Sequence, residues 1–237
     1  MDQKTLFELI GLAAFIGWFH TLTGPDHFVP FIAMSKVGRW SLQRTIAITF
    51  ACGLGHVLSS ILIGTLGIGF GLLLNRLVDF ESSRGTLAGW LLLGFGLAYM
   101  TWGIFRAIRN RPHSHLHAHA NGTIHGHDHA HHGGHAHVHD EPERGSMTPW
   151  VLFAIFVFGP CEPLIPILMY PAAQLSVSGA LLVAAVFAVA TLGTMLAIVS
   201  VGYFGLARLS FPLLGRYSHA IAGGSIAVCG AAIQFGL

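Results

Sequence analysis

Six side chains in this sequence pair metal-type or thiol chemistry with apolar surroundings: His20, Asp26, His27 and His56 in the first half, Cys161 and Glu162 in the second. His20, Asp26 and His27 flank Gly24-Pro25, while Cys161 and Glu162 directly follow Gly159-Pro160. Ionisable groups inside membrane spans are costly and mark function by default. Three imidazoles plus a carboxylate make a ligand set suited to nickel, cobalt, copper or zinc. Calcium and magnesium want oxygen-only shells, which the sequence does not offer here. Asp26 would also offset part of the double positive charge of an ion leaving water. Each residue has a plainer reading as well. A lone histidine such as His20 can simply hydrogen-bond a neighbouring carbonyl. Glu162 can be a ligand, a proton carrier or the surface partner of an arginine. His56 follows Gly53 and Gly55, where small residues allow a second helix to come close. Cys52 and Cys229 read as small buried hydrophobes, and His219 reads as interfacial.

The elements that position these residues are membrane helices. Of 237 residues 53% are apolar and only 9% charged, against about a quarter charged in a soluble domain. Apolar stretches recur at about 5–34, 44–74, 86–108, 149–174, 178–207 and 212–237, each long enough for roughly 30 Å of hydrocarbon. The first apolar run, Leu6 to Phe19, follows a mixed Asp2, Lys4 and Glu8 start, so no cleavable signal peptide is expected. The fold class expected is an all-α polytopic membrane protein of about six spans. Gly24-Pro25 and Gly159-Pro160 interrupt the first and fourth spans, because proline in a helix frees a carbonyl and kinks the axis. In lipid such breaks are tolerated only against protein or a watery cavity.

The two halves repeat. Gly24-Pro25-Asp26-His27 matches Gly159-Pro160-Cys161-Glu162, Met34 falls opposite Met169, and the stretch 53–67 lines up with 191–205. Three spans per copy, an odd number, force the second copy to insert inverted, as in many secondary transporters. The expected organisation is a first three-helix repeat (1–109), a histidine-rich loop (110–147) and a second three-helix repeat (148–237).

That loop holds twelve of the sixteen histidines: His113, His115, His117, His119, His125, His127, His129, His131, His132, His135, His137 and His139. Such tracts bind borderline divalent ions by composition, and binding needs neutral imidazoles. The loop reads as disordered, a buffer, sensor or delivery arm rather than a translocation site. Lysine and arginine counts favour outward N- and C-termini with the loop in the cytoplasm. Lys36, Arg39, Arg44, Arg106, Arg109, Arg111, Arg144, Arg208 and Arg216 fall inside, against Lys4, Arg76 and Arg84 outside. Nothing in the sequence has the basic, aromatic-interleaved pattern of a nucleic-acid partner. No organic cofactor and no enzymatic activity are expected.

HTLTGPDHF (20–28) resembles the histidine–aspartate–histidine signature of nickel/cobalt permeases, closest to the shorter NicO or UreH-like branch. Gly53-Leu54-Gly55-His56 is similar to that family's second-span motif, and histidine-rich central loops are common there. The resemblance implies a cell-membrane permease carrying Ni(2+) or Co(2+) as substrate, with His20, Asp26, His27 and His56 as the matching positions; relatives import or export, so it does not fix the direction, and uptake is slightly favoured over efflux. The larger permeases space the first histidine four residues before the Asp-His pair, whereas five residues separate His20 from Asp26 here. A cytoplasmic metallochaperone or nickel-enzyme maturation system is the expected protein partner, and an oligomer is possible. No nucleotide-binding loop is present. At 100 mV a divalent ion moving inward gains roughly 4.6 kcal/mol, enough to make potential-driven uptake feasible. Gly159-Pro160-Cys161 also resembles the thiol-relay membrane proteins of cytochrome c maturation. Those need two cysteines at symmetry-related breaks, and here Asp26 holds the partner position, so this reading ranks second.

Overall fold

The computed structural model describes residues 3–70, 74–109, 113–118, 124–129, 148–159, 161, 163–173, 177–207 and 212–235. They form eight α-helices in chain order: α1 (Gln3–Thr23), α2 (Val29–Val37), α3 (Leu42–Gly69), α4 (Leu74–Arg109), α5 (Thr148–Phe158), α6 (Leu164–Ala173), α7 (Val177–Ala207) and α8 (Pro212–Gln234). A single 3-10 turn, Pro25–His27, sits between α1 and α2. Within the histidine-rich region, β1 (His113–Ala118) and β2 (Ile124–His129) pair antiparallel, with His113 opposite His129, His115 opposite His127 and His117 opposite His125.

Among the described residues, α1, α3, α4 and α7 are long and apolar enough to cross a membrane. This corrects the expectation of six such spans. The fourth apolar segment is cut at Gly159 into α5 and α6, of 11 and 10 residues, each too short for a bilayer that needs about 20. The last segment, α8, is diluted by Arg216, Ser218 and His219.

The exterior is apolar like the interior, unlike the surface of a protein in water. Val201 is 74% exposed, Val189 71% and Leu62 59%, whereas Thr21, Thr45, Thr49, Ser60, Glu81 and Thr191 are completely buried. Apolar side chains facing outward from every long helix are the expected surface against hydrocarbon, and polar groups inside can bond only to the protein. The chain is a multi-pass membrane protein.

Helix α4 packs along α8, α1 along α7, and α3 against α5, α6 and α7. The α4–α8 seam is built on small residues. A Cβ on Gly96 would run into the backbone of Ala227, one on Gly103 into that of Ala220, one on Gly223 into that of Met100 and one on Gly230 into that of Leu93. The two main chains therefore touch directly, the arrangement that drives association where lipid removes any hydrophobic advantage. Gly96→Leu is expected to force this seam apart and cost about 2–3 kcal/mol, the upper part of the overpacking range. Thermal unfolding in detergent reads this directly, with Gly94→Leu as control, since a Cβ at Gly94 meets nothing.

Candidate functional site

Both helix breaks lie at the centre of the functional geometry. At the first, Gly24 takes an extended conformation (φ −89°, ψ 95°), and Pro25, which has no N–H, cannot continue α1. The Gly24 N–H still closes on His20 O at 3.0 Å, and His27 N–H returns to Gly24 O at 3.1 Å. The result is one tight turn between two helices. A Cβ on Gly24 would lie 2.6 Å from His27 Nδ1, so glycine is what lets this imidazole fold back over the turn.

That turn brings three of the four expected imidazole and carboxylate positions against the fourth. The His20 and His27 rings stand 4.7 Å apart at 80°, and the His27 and His56 rings 5.2 Å apart at 90°. One ring nitrogen from each of His20, His27 and His56 lies within 4.8 Å of the others. His27 and His56 are buried, at 2% and 3% exposure, while His20 is half-buried. His27 Nδ1 sits 3.2 Å from both Gly24 O and Asp26 Oδ1. His56 Nδ1 sits 3.3 Å from Phe156 O. These partners are all acceptors, so Nδ1 carries a proton in both rings, and in the neutral imidazole Nε2 keeps its lone pair. The Nε2 atoms of His20, His27 and His56 are all buried without a hydrogen-bond partner. Asp26 is not part of the imidazole cluster; it orients His27 from behind.

The second break is held by charges that sequence reasoning missed. Pro160 has no N–H, so α5 ends with uncapped carbonyls, and such groups need partners when buried. Arg84 Nη2 donates to Val157 O at 2.8 Å and to Gly159 O at 3.3 Å, and also to Ser59 Oγ at 2.9 Å. Its other nitrogen, Nη1, pairs with Glu81, one turn earlier on α4. Glu81 Oε2 in turn accepts from Ser60 Oγ at 2.9 Å and from the Cys161 N–H at 3.2 Å. The Cys161 N–H also reaches Ser60 Oγ at 3.1 Å. Cys161 itself is completely buried among Val57, Leu164, Leu168 and Phe187. Arg84, expected in an outer loop, is instead buried inside α4. The signal was present: Glu81 and Arg84 stand at i and i+3, the spacing of a same-face ion pair. Placing the third span's start at residue 86 hid it.

Glu162 lies outside the described residues, as do His119, His131, His132, His135, His137 and His139. Cys52, Cys161 and Cys229 are free and buried; Cys52 and Cys229 share one core cluster and Cys161 belongs to the other. His219 accepts or donates at Nδ1 with Tyr99 Oη, 2.8 Å away, a structural contact between α4 and α8.

Compared with known families, the chain matches the cytochrome c biogenesis protein transmembrane region over residues 10–232. It belongs to that family. No curated protein and no solved structure matches the chain. The match to the cytochrome c biogenesis family corrects the resemblance to nickel/cobalt permeases, and with it the reading as a nickel or cobalt transporter. The physical reason is one of extent. The permease-like motifs are confined to 20–28, 53–60 and 159–163, and polar groups beside a broken helix are common to many kinds of site. The biogenesis family match runs through both halves and the helices between them.

Proposed function

We propose that this chain works as a membrane thiol-exchange component of the cytochrome c biogenesis type, with Cys161 as its reactive group. The observation that carries this reading is the position of Cys161: fully buried, directly after the Gly-Pro break, its N–H held by Ser60 and Glu81, in a chain whose family match covers residues 10–232. The position related to it by the internal repeat is Asp26, so the chain cannot close a disulfide between its two breaks. One thiol still suffices when both partners bring two. The Cys161 thiolate attacks an acceptor protein's disulfide, forming a mixed disulfide and releasing one acceptor thiolate. A thiolate of a dithiol donor then attacks the Cys161 sulfur, which releases the second acceptor thiolate and leaves Cys161 joined to the donor. The donor's second thiolate closes the donor disulfide and frees Cys161. Overall the acceptor gains two electrons and the donor loses two, by ordinary thiol–disulfide exchange. Because Cys161 is enclosed, each exchange requires the second break to open.

Supporting this scheme, the helix pairs fit a three-plus-three inverted repeat. The α1–α7 pairing is mirrored by α3 against α5 and α6, and α4 meets its own counterpart α8. Residues 1–109 and 148–237 are then two copies related by a two-fold axis in the membrane plane, as in proteins that open alternately to each side. The proposed setting is the cytoplasmic membrane, N-terminus outside and the histidine-rich region inside. With Arg84 buried, the outer loops keep only Lys4 and Arg76, which widens the charge bias.

The test is covalent capture. Cells expressing the chain are quenched in acid, alkylated with a maleimide and run on non-reducing gels. Adducts that disappear on reduction and are absent from Cys161→Ser, but present in Cys52→Ser and Cys229→Ser, are the expected result. A Cys161 alkylated to the same extent in oxidised and reduced cells, with no such adducts, would sink the thiol-exchange reading.

A further inference from the structure

We infer that His20, His27 and His56 form a buried binding site for one transition-metal ion, held through their three Nε2 atoms and separate from the thiol chemistry at Cys161. The argument starts from unsatisfied atoms. A buried polar atom without a partner costs about 1–3 kcal/mol, and native structures leave few of them. Here three of the same kind converge: Nε2 of His20, His27 and His56 is buried and unpartnered in each case. The cluster's ring nitrogens fall within 4.8 Å of one another. In the two fully buried rings Nδ1 is engaged by an acceptor, which leaves Nε2 as the nitrogen free to bind an ion. In the neutral rings protonated at Nδ1, three lone pairs are offered to one cation, which would supply the partner that each Nε2 lacks.

The surroundings match a metal centre in a second respect. A ligating histidine almost always donates its other nitrogen to a carboxylate or backbone carbonyl, which fixes ring and tautomer. His27 has both, Asp26 and Gly24 O, and His56 has Phe156 O. That carbonyl belongs to α5's broken C-terminus, so the break in the second half orients a ligand contributed by the first. Neutral imidazoles select ions of the zinc, copper, iron and nickel class over calcium or magnesium. Asp26, with 22% of its side chain exposed, places a carboxylate one hydrogen bond behind His27, 3.2 Å from its Nδ1. Glu81 does not compete for the ion, since Arg84, Ser60 and the Cys161 N–H already occupy it.

Zinc(II) is the probe of choice because it neither oxidises Cys161 nor changes valence. The full chain, with its twelve loop histidines replaced by asparagine, is purified in lipid nanodiscs and dialysed against zinc buffered by a chelator. One zinc per chain is expected, bound through imidazole nitrogens at about 2.0–2.1 Å in X-ray absorption. Asp26→Asn, which keeps the size of the side chain, is expected to weaken binding by about 10–100-fold, the usual effect of losing a partner behind a ligating histidine. His56→Ala is expected to abolish stoichiometric binding. Zinc absent from the loop-substituted chain would overturn the inference, as would equal affinity in Asp26→Asn and His56→Ala or an absorption spectrum lacking imidazole scattering. If His56→Ala unfolds, the Asp26→Asn affinity and the absorption spectrum decide.

Discussion

Arg84→Ala is expected to destabilise the inserted protein by about 3–5 kcal/mol, the range seen when one member of a buried ion pair is removed. Glu81 is completely buried and would keep a charge with only Ser60 and one backbone N–H to stabilise it. The carbonyls of Val157 and Gly159 would lose their donor at the same time. Two faults thus coincide, an uncompensated anion and an uncapped helix end. Replacing both charges, as in Glu81→Gln with Arg84→Met, is expected to recover most of the loss of the anion but not of the cap. Its stability should lie between wild type and Arg84→Ala. Thermal unfolding in detergent with retention of helical circular dichroism measures all three. An Arg84→Ala protein as stable as wild type would show that the ion pair does not hold the break.

On the thiol-exchange function proposed above, Cys161→Ser is expected to abolish the chain's support of c-type cytochrome formation while leaving the protein folded. Serine is close to cysteine in size and leaves the backbone N–H bonds to Ser60 and Glu81 intact, but its hydroxyl cannot enter a mixed disulfide. The comparison belongs in a host that lacks its own copy, scored by haem staining of covalently bound haem. Cys52→Ser and Cys229→Ser alter thiols in the other core cluster, so both are expected to support normal staining. Full activity in a stably inserted Cys161→Ser would exclude thiol exchange by this chain. The metal site would be untouched by that result, because its readout is bound zinc.

Much of the site is legible from residue types because membranes make polar residues expensive. His20, Asp26, His27 and His56 stand out against their apolar neighbours, and the structure brings the three imidazoles together with Asp26 behind one of them. The breaks at Gly24 and Gly159 follow from the missing proline N–H. What stays hidden is pairing between distant segments. Nothing local says that the Phe156 carbonyl meets His56, 100 residues away in the chain. Nothing local says either that Arg84 caps the carbonyls of α5. Glu81 and Arg84 look like loop charges, since a charge is ordinarily evidence against a span, and only their mutual neutralisation lets them enter one. The family was misjudged for a related reason: short motifs around a broken helix report the chemistry of the break, whereas membership is written across the whole length.

Helix α4 has a consequence of its own. Its 36 residues make a rod of about 54 Å at 1.5 Å per residue, well beyond the roughly 30 Å of a hydrocarbon core. Near one end Glu81 and Arg84 grip the second break; further along, Gly96 and Gly103 lie flush against α8. The other end, Arg109, comes four residues before the first paired histidine of the hairpin. Where glycine brings main chain against main chain, the seam has no side chain whose rotamer could change to let the helices shift. Contacts from Gln234 on Thr86 to Arg216 on Ala107 fasten α4 to α8 along most of its length, so the stretch that carries the Glu81–Arg84 clamp and the stretch that ends at Arg109 belong to one braced helix.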